Sequence, residues 1–359
     1  MKKVSKEALK KKFVSFLLKW NREQNTRQMP WKGEKNPYRI WLSEIILQQT
    51  RVEQGLSYYN NFIKAFSDVH KLAKAPDSAV FKLWEGLGYY TRCRNLIATA
   101  RYISKECKGR FPENYEAIKE LKGVGPYTAA AISSFAFNLP HAVLDGNVFR
   151  VLARIFGIDA PVDSTAGKKQ FISLADELLD KKQPGLYNQA IMDFGAVVCR
   201  PLAPLCEACV FKKRCSALLN NKVSELPVKE KKTSIRKRWF YYLVLEFKTS
   251  IAIRQRTEKD IWQQLYEFPL IETGGEAGIK KIIREAEKRK WLTKNKYEIL
   301  SVSVLFKQQL SHQRINGQFI RLRIKQKPPQ ENLWQWVENK KIKRFAFPQL
   351  VNQMMKQKS

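Results

Sequence analysis

The chain has 359 residues, of which 44% are hydrophobic and nine are tryptophan, enough apolar material for two ordinary cores and too much for a disordered chain. Its 66 Lys and Arg against 33 Asp and Glu give a formal net charge of +33, which calls for a polyanionic partner but does not by itself name a reaction. No run of eighteen apolar residues occurs, and FVSFLLKW after the basic MKKVSKEALKKK is too short for a secretory signal, so the expectation is an intracellular protein without membrane association.

From Val4 to about Asn221 apolar residues recur at helical spacing, interrupted by Gly, Pro and Asn. The pattern predicts helices over 7–20, 38–50, 55–66, 78–85, 92–105, 115–121, 126–137, 146–156, 167–181 and 186–198. Residues 223–238, VSELPVKEKKTSIRKR, are charged and aperiodic around a proline, as an exposed linker would be. Beyond them, aromatic and β-branched runs at 238–247, 250–256, 298–306 and 317–325, with a charged amphipathic helix over 276–291, predict a small α+β domain. The expected organisation is an all-α domain over 1–222, a linker over 223–238 and an α+β domain over 239–359.

Chemistry-bearing candidates appear in chain order. In NPYRIWLSEIILQQTRVEQ (36–54), Glu44 shares a helix face with Trp41, Leu47 and Gln48. Desolvation there would lift a carboxyl toward neutrality, as a general acid requires; the plainer role is an exposed glutamate on an amphipathic helix. LKGVGPYTAAAI (121–132) joins two helical segments through Gly123 and Gly125, a turn that leaves backbone amides open to a phosphate without reading bases. In LDGNVFRVLARIFG (144–157), Asp145 stands where a helix N-cap belongs, and a capping carboxylate facing a cleft could also steady a developing positive charge. One protonated and one ionised carboxyl form the pair that N-glycosidic cleavage uses.

Six cysteines in an intracellular chain favour metal ligation over disulfides. Cys199, Cys206, Cys209 and Cys215 are spaced Cys-x6-Cys-x2-Cys-x5-Cys, so four thiolates could close around one soft metal centre, and Lys212, Lys213 and Arg214 between the last two would be offered to a phosphate backbone. Cys93 and Cys107 are expected to be plain buried thiols.

PWKG (30–33), WLSEIILQQT (41–50), LWEGLGYYTRCRNL (83–96), LKGVGPYTAA (121–130), LDGNVFRVLAR (144–154), YNQAIMDFGAVVC (187–199) and the four cysteines follow one another in a familiar order. In these the chain resembles the adenine DNA glycosylases of the MutY type, within the helix-hairpin-helix glycosylase superfamily. The resemblance implies an all-α helix-hairpin-helix domain with an iron-sulfur loop at 199–215, then a small α+β MutT-like (Nudix-like) domain. It implies base excision repair of adenine mispaired with 8-oxoguanine or guanine in double-stranded DNA, by a monomer working beside the DNA in a bacterial cytoplasm or nucleoid.

By the matching motifs, Glu44 would protonate the departing adenine, Asp145 would stabilise the sugar cation, and Tyr127 would assist. Trp31, Leu47 and Gln189 would line the adenine pocket, with packing as their plainer role. Gln49, Thr50, Leu87 and Tyr89 would enter the DNA beside 8-oxoguanine. Tyr127 stands where strand-cutting relatives like endonuclease III place a Schiff-base lysine, so the resemblance implies a monofunctional glycosylase. The cysteines would hold one [4Fe-4S] cluster, with zinc as the alternative. DIWQQLYEFPLIE (260–272) anchors the likeness of the second domain, and REAEKR (284–289) lacks the paired glutamates of the nucleotide hydrolases. That domain would therefore recognise 8-oxoguanine, through Ser311 and His312 of LSHQ, with Leu310 where the family often has phenylalanine. A non-enzymatic DNA-binding scaffold is the alternative of a different class.

Overall fold

The computed structural model describes residues 6–230, 234–329 and 333–357. The chain divides into two compact units, one of residues 1–74 with 94–231, the other of 75–93 with 232–359.

The first unit is helical: α1 (Lys6–Glu23), α2 (Pro37–Leu47), α3 (Val52–Ala65), α4 (Val69–Lys74), most of α6 (Tyr90–Lys105), α7 (Tyr115–Lys119), α8 (Pro126–Phe137), α9 (Gly146–Phe156), α10 (Thr165–Leu178), α11 (Pro184–Val197) and α12 (Ser216–Leu219). α4 and α12, of six and four residues, are not among the helices expected from periodicity. Caps set the starts that matter for the site. The Asn36 side chain accepts from the Tyr38 and Arg39 amides at the head of α2, with Pro37 pre-set for the first turn. Asp145 caps α9, which ends on Gly157 in the left-handed region at φ +66°. The core gathers Phe13, Trp20, Phe156, Phe171, Phe194 and Phe211, and α9, α8 and α1 all pack against α11.

The second unit is built on a mixed sheet in which β1 (Arg236–Phe247) and β7 (Gln313–Ile324) run parallel, in register from Arg236 opposite Gln313 to Glu246 opposite Arg323. β2 (Ser250–Gln255) and β4 (Leu270–Thr273) flank β1, β3 (Tyr266–Glu267) and β8 (Gln335–Glu338) pair with β2, and β5 (Tyr297–Val302) and β6 (Phe306–Gln309) pair with β7, all antiparallel. α13 (Ile279–Lys288) covers one face through Ile282, Ile283 and Ala286, against Leu243, Leu245 and Leu322, and α14 (Gln349–Lys356) closes the chain. The run expected as one strand over 298–306 is two, because the pairing with β7 shifts at Ile299/Ser301 and breaks before Phe306.

Two features depart from the division expected in sequence. Residues 75–93, which carry α5 (Asp77–Trp84) and the first turn of α6, cluster with the second unit. The Glu85 carboxylate accepts the Phe347 amide at 2.7 Å and the Asn352 side-chain amide at 2.9 Å, and Lys82 Nζ donates to the Phe345 carbonyl at 2.9 Å. Such partners lie about 260 positions away in sequence and leave no local trace. The expected linker is also tethered at its front: Leu226 is buried, its carbonyl accepts Arg154 Nε at 2.9 Å, and the Val228 carbonyl accepts the Val162 amide at 3.0 Å. Of that stretch, residues 231–233 lie outside the described residues, and β1 starts at Arg236.

Candidate active site

Within the first unit a cavity of about 490 Å³ is lined by Trp31, Glu44, Leu47, Gln48, Gln49, Thr50, Tyr127, Asp145 and Gln189, together with Arg27, Met29, Val52, Leu144, Gly146, Asn147 and Met192. Four separate elements meet there. α2 and its C-cap bring Glu44, Leu47 and Gln48, α8 brings Tyr127, the head of α9 brings Asp145 and Asn147, and α11 brings Gln189 and Met192.

Glu44 is 6% exposed. Burial pushes its carboxyl up to about 7; the nearby negative charge of Asp145 adds to the rise, and the Tyr127 hydroxyl opposes it by hydrogen bonding. Burial also drives the Tyr127 phenol well above its ordinary range, so it stays a donor. Asp145 keeps its capping role: Oδ1 accepts the Val148 amide at 2.8 Å and Oδ2 accepts Asn147 Nδ2 at 2.7 Å. Burial raises Asp145 as well, but these donors favour its anion and hold the rise back. The two carboxyls thus share a cavity in unlike surroundings, one with a hydrogen-bond donor on each oxygen and one facing a phenol.

Behind Asp145, Asn147 Oδ1 accepts Arg150 Nη2 at 2.8 Å, and Arg150 Nε donates to the Cys199 carbonyl at 2.7 Å. All four candidate cysteines, 199, 206, 209 and 215, line a second cavity with Arg154, Phe194 and Lys212. Arg154 Nη1 lies 3.7 Å from Cys199 Sγ, and the Phe211 amide 3.4 Å from Cys209 Sγ. Among the described residues no three His, Cys, Asp or Glu side chains are gathered tightly enough for one metal ion. An all-thiol donor set fits a soft metal centre, tetrahedral zinc and an iron-sulfur cluster alike. Of the loop's cations, Lys212 pairs with Glu207 and Arg214 stacks over Phe16 at 4.7 Å, which leaves Lys213 without an ion pair among the described residues.

At the hairpin, Gly123 has φ +83°, and a Cβ there would meet Asn95 Cβ at 2.7 Å, so both the backbone and the packing demand glycine. Gly125 caps α8 without a side-chain bond, and nothing lies within 4 Å of its missing Cβ.

The remaining candidates lie in the second unit. Leu87 is buried, while Tyr89 is exposed at φ +47°, and its hydroxyl bonds to the Ser311 hydroxyl. Ser311 and His312 are exposed on the hairpin between β6 and β7, closed by Leu310 N–H to the Gln313 carbonyl at 2.8 Å. Two glutamates on α13 are engaged locally, Glu285 with Arg289 at 2.7 Å and Glu287 with the Tyr297 hydroxyl at 3.0 Å. Arg27, Asn147 and Met192 are cavity residues that periodicity and motif spacing did not single out. Arg27 sits in an aperiodic stretch, whereas Asn147, two positions after a capping aspartate, carried a usable signal.

Residues 42–173 match the family described as the HhH-GPD superfamily of base excision DNA repair proteins, and residues 240–357 match the NUDIX domain. An adenine DNA glycosylase of Buchnera aphidicola subsp. Baizongia pistaciae is 36% identical over 303 residues, 84% of this chain and 83% of that protein. The Homo sapiens adenine DNA glycosylase is 40% identical over 214 residues, 57% of this chain and 39% of that protein. Among solved structures, a thermostable thymine-DNA glycosylase is 32% identical with a TM-score of 0.55, covering 60% of this chain and 98% of that one. A trapped endonuclease III–DNA covalent intermediate, 17% identical with a TM-score of 0.53, covers 61% of this chain and 99% of that one and is alike in fold alone.

Proposed function

The chain belongs to the adenine DNA glycosylases, base excision repair enzymes with a helix-hairpin-helix domain and a NUDIX domain, and from that membership we propose that it excises adenine mispaired with 8-oxoguanine and does not cut the strand. The observation that carries the proposal is the shared cavity of Glu44 and Asp145, one carboxyl raised to about 7 and the other held by two hydrogen-bond donors.

The glycosidic bond is out of reach inside a duplex, so the adenine swings into the cavity. Protonated Glu44 gives its proton to the base as the bond to the sugar breaks and the electron pair leaves with adenine. Asp145, as the anion, stabilises the oxocarbenium-like sugar, and Tyr127 holds Glu44 in place by hydrogen bonding. Water adds to the sugar and yields an abasic site. Among the described residues lining the cavity there is no lysine, which supports hydrolysis without a Schiff base. Trp31 and Leu47 would flank the base.

DNA would be held through the Gly123–Gly125 turn, Gln49, Thr50 and Lys213, with Leu87 and Tyr89 beside the lesion and Ser311 and His312 reading 8-oxoguanine. Cys199, Cys206, Cys209 and Cys215 would hold a [4Fe-4S] cluster, which would cross-link residues 199–215. Iron content and visible absorption check that assignment; a colourless protein with stoichiometric zinc would reverse it.

The functional test is a single-turnover assay on duplexes with adenine opposite 8-oxoguanine, guanine or thymine, with and without alkali, alongside borohydride trapping. Adenine should be released fastest opposite 8-oxoguanine, and strands should break only after alkali. Binding without base release would leave a DNA-binding scaffold, and efficient trapping of protein on DNA would make the enzyme a lyase.

A further inference from the structure

Asp193, one helical turn beyond Gln189 on α11, is fully buried and has four donors. Oδ1 accepts Gln189 Nε2 at 3.0 Å and Arg27 Nη1 at 2.9 Å, while Oδ2 accepts Asn25 Nδ2 at 2.9 Å and lies 3.0 Å from Lys32 Nζ. These fill the acceptor sites of one carboxylate. They also pin the aperiodic stretch between α1 and α2: Lys32 Nζ reaches the Arg27 carbonyl at 2.9 Å, and the Arg27 amide reaches Asn25 Oδ1 at 3.1 Å. Arg27 and Gln189 line the cavity and Asp193 does not, so its influence on the cavity passes through them.

The consequence for Gln189 is directional. A side-chain amide can present either its oxygen or its nitrogen, and usually only its partners decide which. A carboxylate can only accept, so the bond to Asp193 takes one N–H of the Gln189 amide and fixes which way its Oε1 faces. Position 6 of adenine carries an amino donor, whereas 6-oxopurines carry an acceptor there. An acceptor fixed in the wall therefore welcomes the first and leaves two oxygens facing each other with the second.

We propose that Asp193 is a positioning residue for base selectivity, fixing the Gln189 amide so that the cavity admits 6-aminopurines and rejects 6-oxopurines. This rests on the proposed adenine glycosylase activity and adds the device that would set its selectivity.

The test measures single-turnover release of adenine, hypoxanthine and purine lacking a 6-substituent, each opposite 8-oxoguanine, for the full-length protein and for Asp193→Asn and Gln189→Leu. The asparagine keeps the shape but can donate to Gln189, allowing its amide to turn. The adenine-to-purine rate ratio should fall about 10- to 100-fold relative to wild type in both variants, the range for loss of one hydrogen bond from a desolvated site. In Asp193→Asn, hypoxanthine should gain on adenine. Release of all three bases slowed equally would make Asp193 a purely structural buttress and overturn the proposal. Should Asp193→Asn fail to fold, Gln189→Leu, which leaves the bonds to Arg27, Asn25 and Lys32 in place, decides alone: an unchanged ratio overturns the proposal. Failure of the wild type to release adenine at all would instead sink the activity on which it rests.

Discussion

Each unit buries a glutamate, and the two have opposite surroundings. Glu44 faces a cavity with a phenol and a second carboxyl near it, and burial lifts it to about 7. Glu267 on β3 is completely buried, and burial raises it too, but Arg256 Nη1 at 2.5 Å and Arg254 Nε at 2.9 Å oppose the rise. Arg256 joins Asp260, which also takes both terminal nitrogens of Arg238, and Arg238 in turn bonds Glu272 at 2.7 Å. A buried acid bracketed by guanidiniums ties strands together; a buried acid that meets no cation and looks into a cavity has a proton to give.

The contrast can be broken in four ways. Glu44→Gln preserves shape but removes the proton, and base release should fall about 10²–10⁴-fold while the fold and duplex affinity persist. Turnover near wild type would exclude Glu44 as the acid. Glu267→Ala should instead cost about 3–5 kcal/mol in denaturant unfolding of the second unit, because two guanidiniums lose their buried partner. A loss below about 1 kcal/mol would put the pair on a par with surface bridges and undo the contrast.

The third concerns pH. As the proposed general acid Glu44 would act in its protonated form, so the single-turnover rate should decline as pH rises through about 7, approaching tenfold per unit, and Glu44→Gln should be flat across that window. Because the folded-state carboxyl lies above its ordinary value, its contribution to stability is fully present below the ordinary carboxyl range and is lost as pH climbs through about 7. A wild-type rate independent of pH from 6 to about 9 would contradict the acid role. The smallest effect is expected at the exposed hairpin. Ser311→Ala removes a hydroxyl that bonds Tyr89, and the rate preference for 8-oxoguanine over guanine should drop about fivefold, the worth of roughly one neutral hydrogen bond. An unchanged preference would remove Ser311 from lesion reading.

Much of the local structure was legible in the chain. Asp145 and Asn36 announce helix starts through side-chain chemistry that acts within three residues. Helices 126–137 and 146–156 begin and end where Pro, Gly and Asn placed them. The adenine-cavity candidates could be named because motifs marked them, and the structure gathers Trp31, Glu44, Leu47, Tyr127, Asp145 and Gln189 around one space. Asp193 was passed over, since one acid in an apolar helix carries no sign of the Arg27 and Lys32 it will meet more than 160 positions back.

Sequence by itself determined the helical and α+β halves, the caps, the cysteine set and the basic surface, because propensity, capping, spacing and net charge are settled by near neighbours or by simple sums. Tertiary structure alone decided that residues 75–93 cluster with the second unit, that Glu44 and Asp145 look into one cavity, and that the Gln189 amide donates to Asp193. Those outcomes depend on burial and on hydrogen bonds between residues far apart in the chain. A carboxyl's proton affinity and an amide's orientation follow from what surrounds them in space.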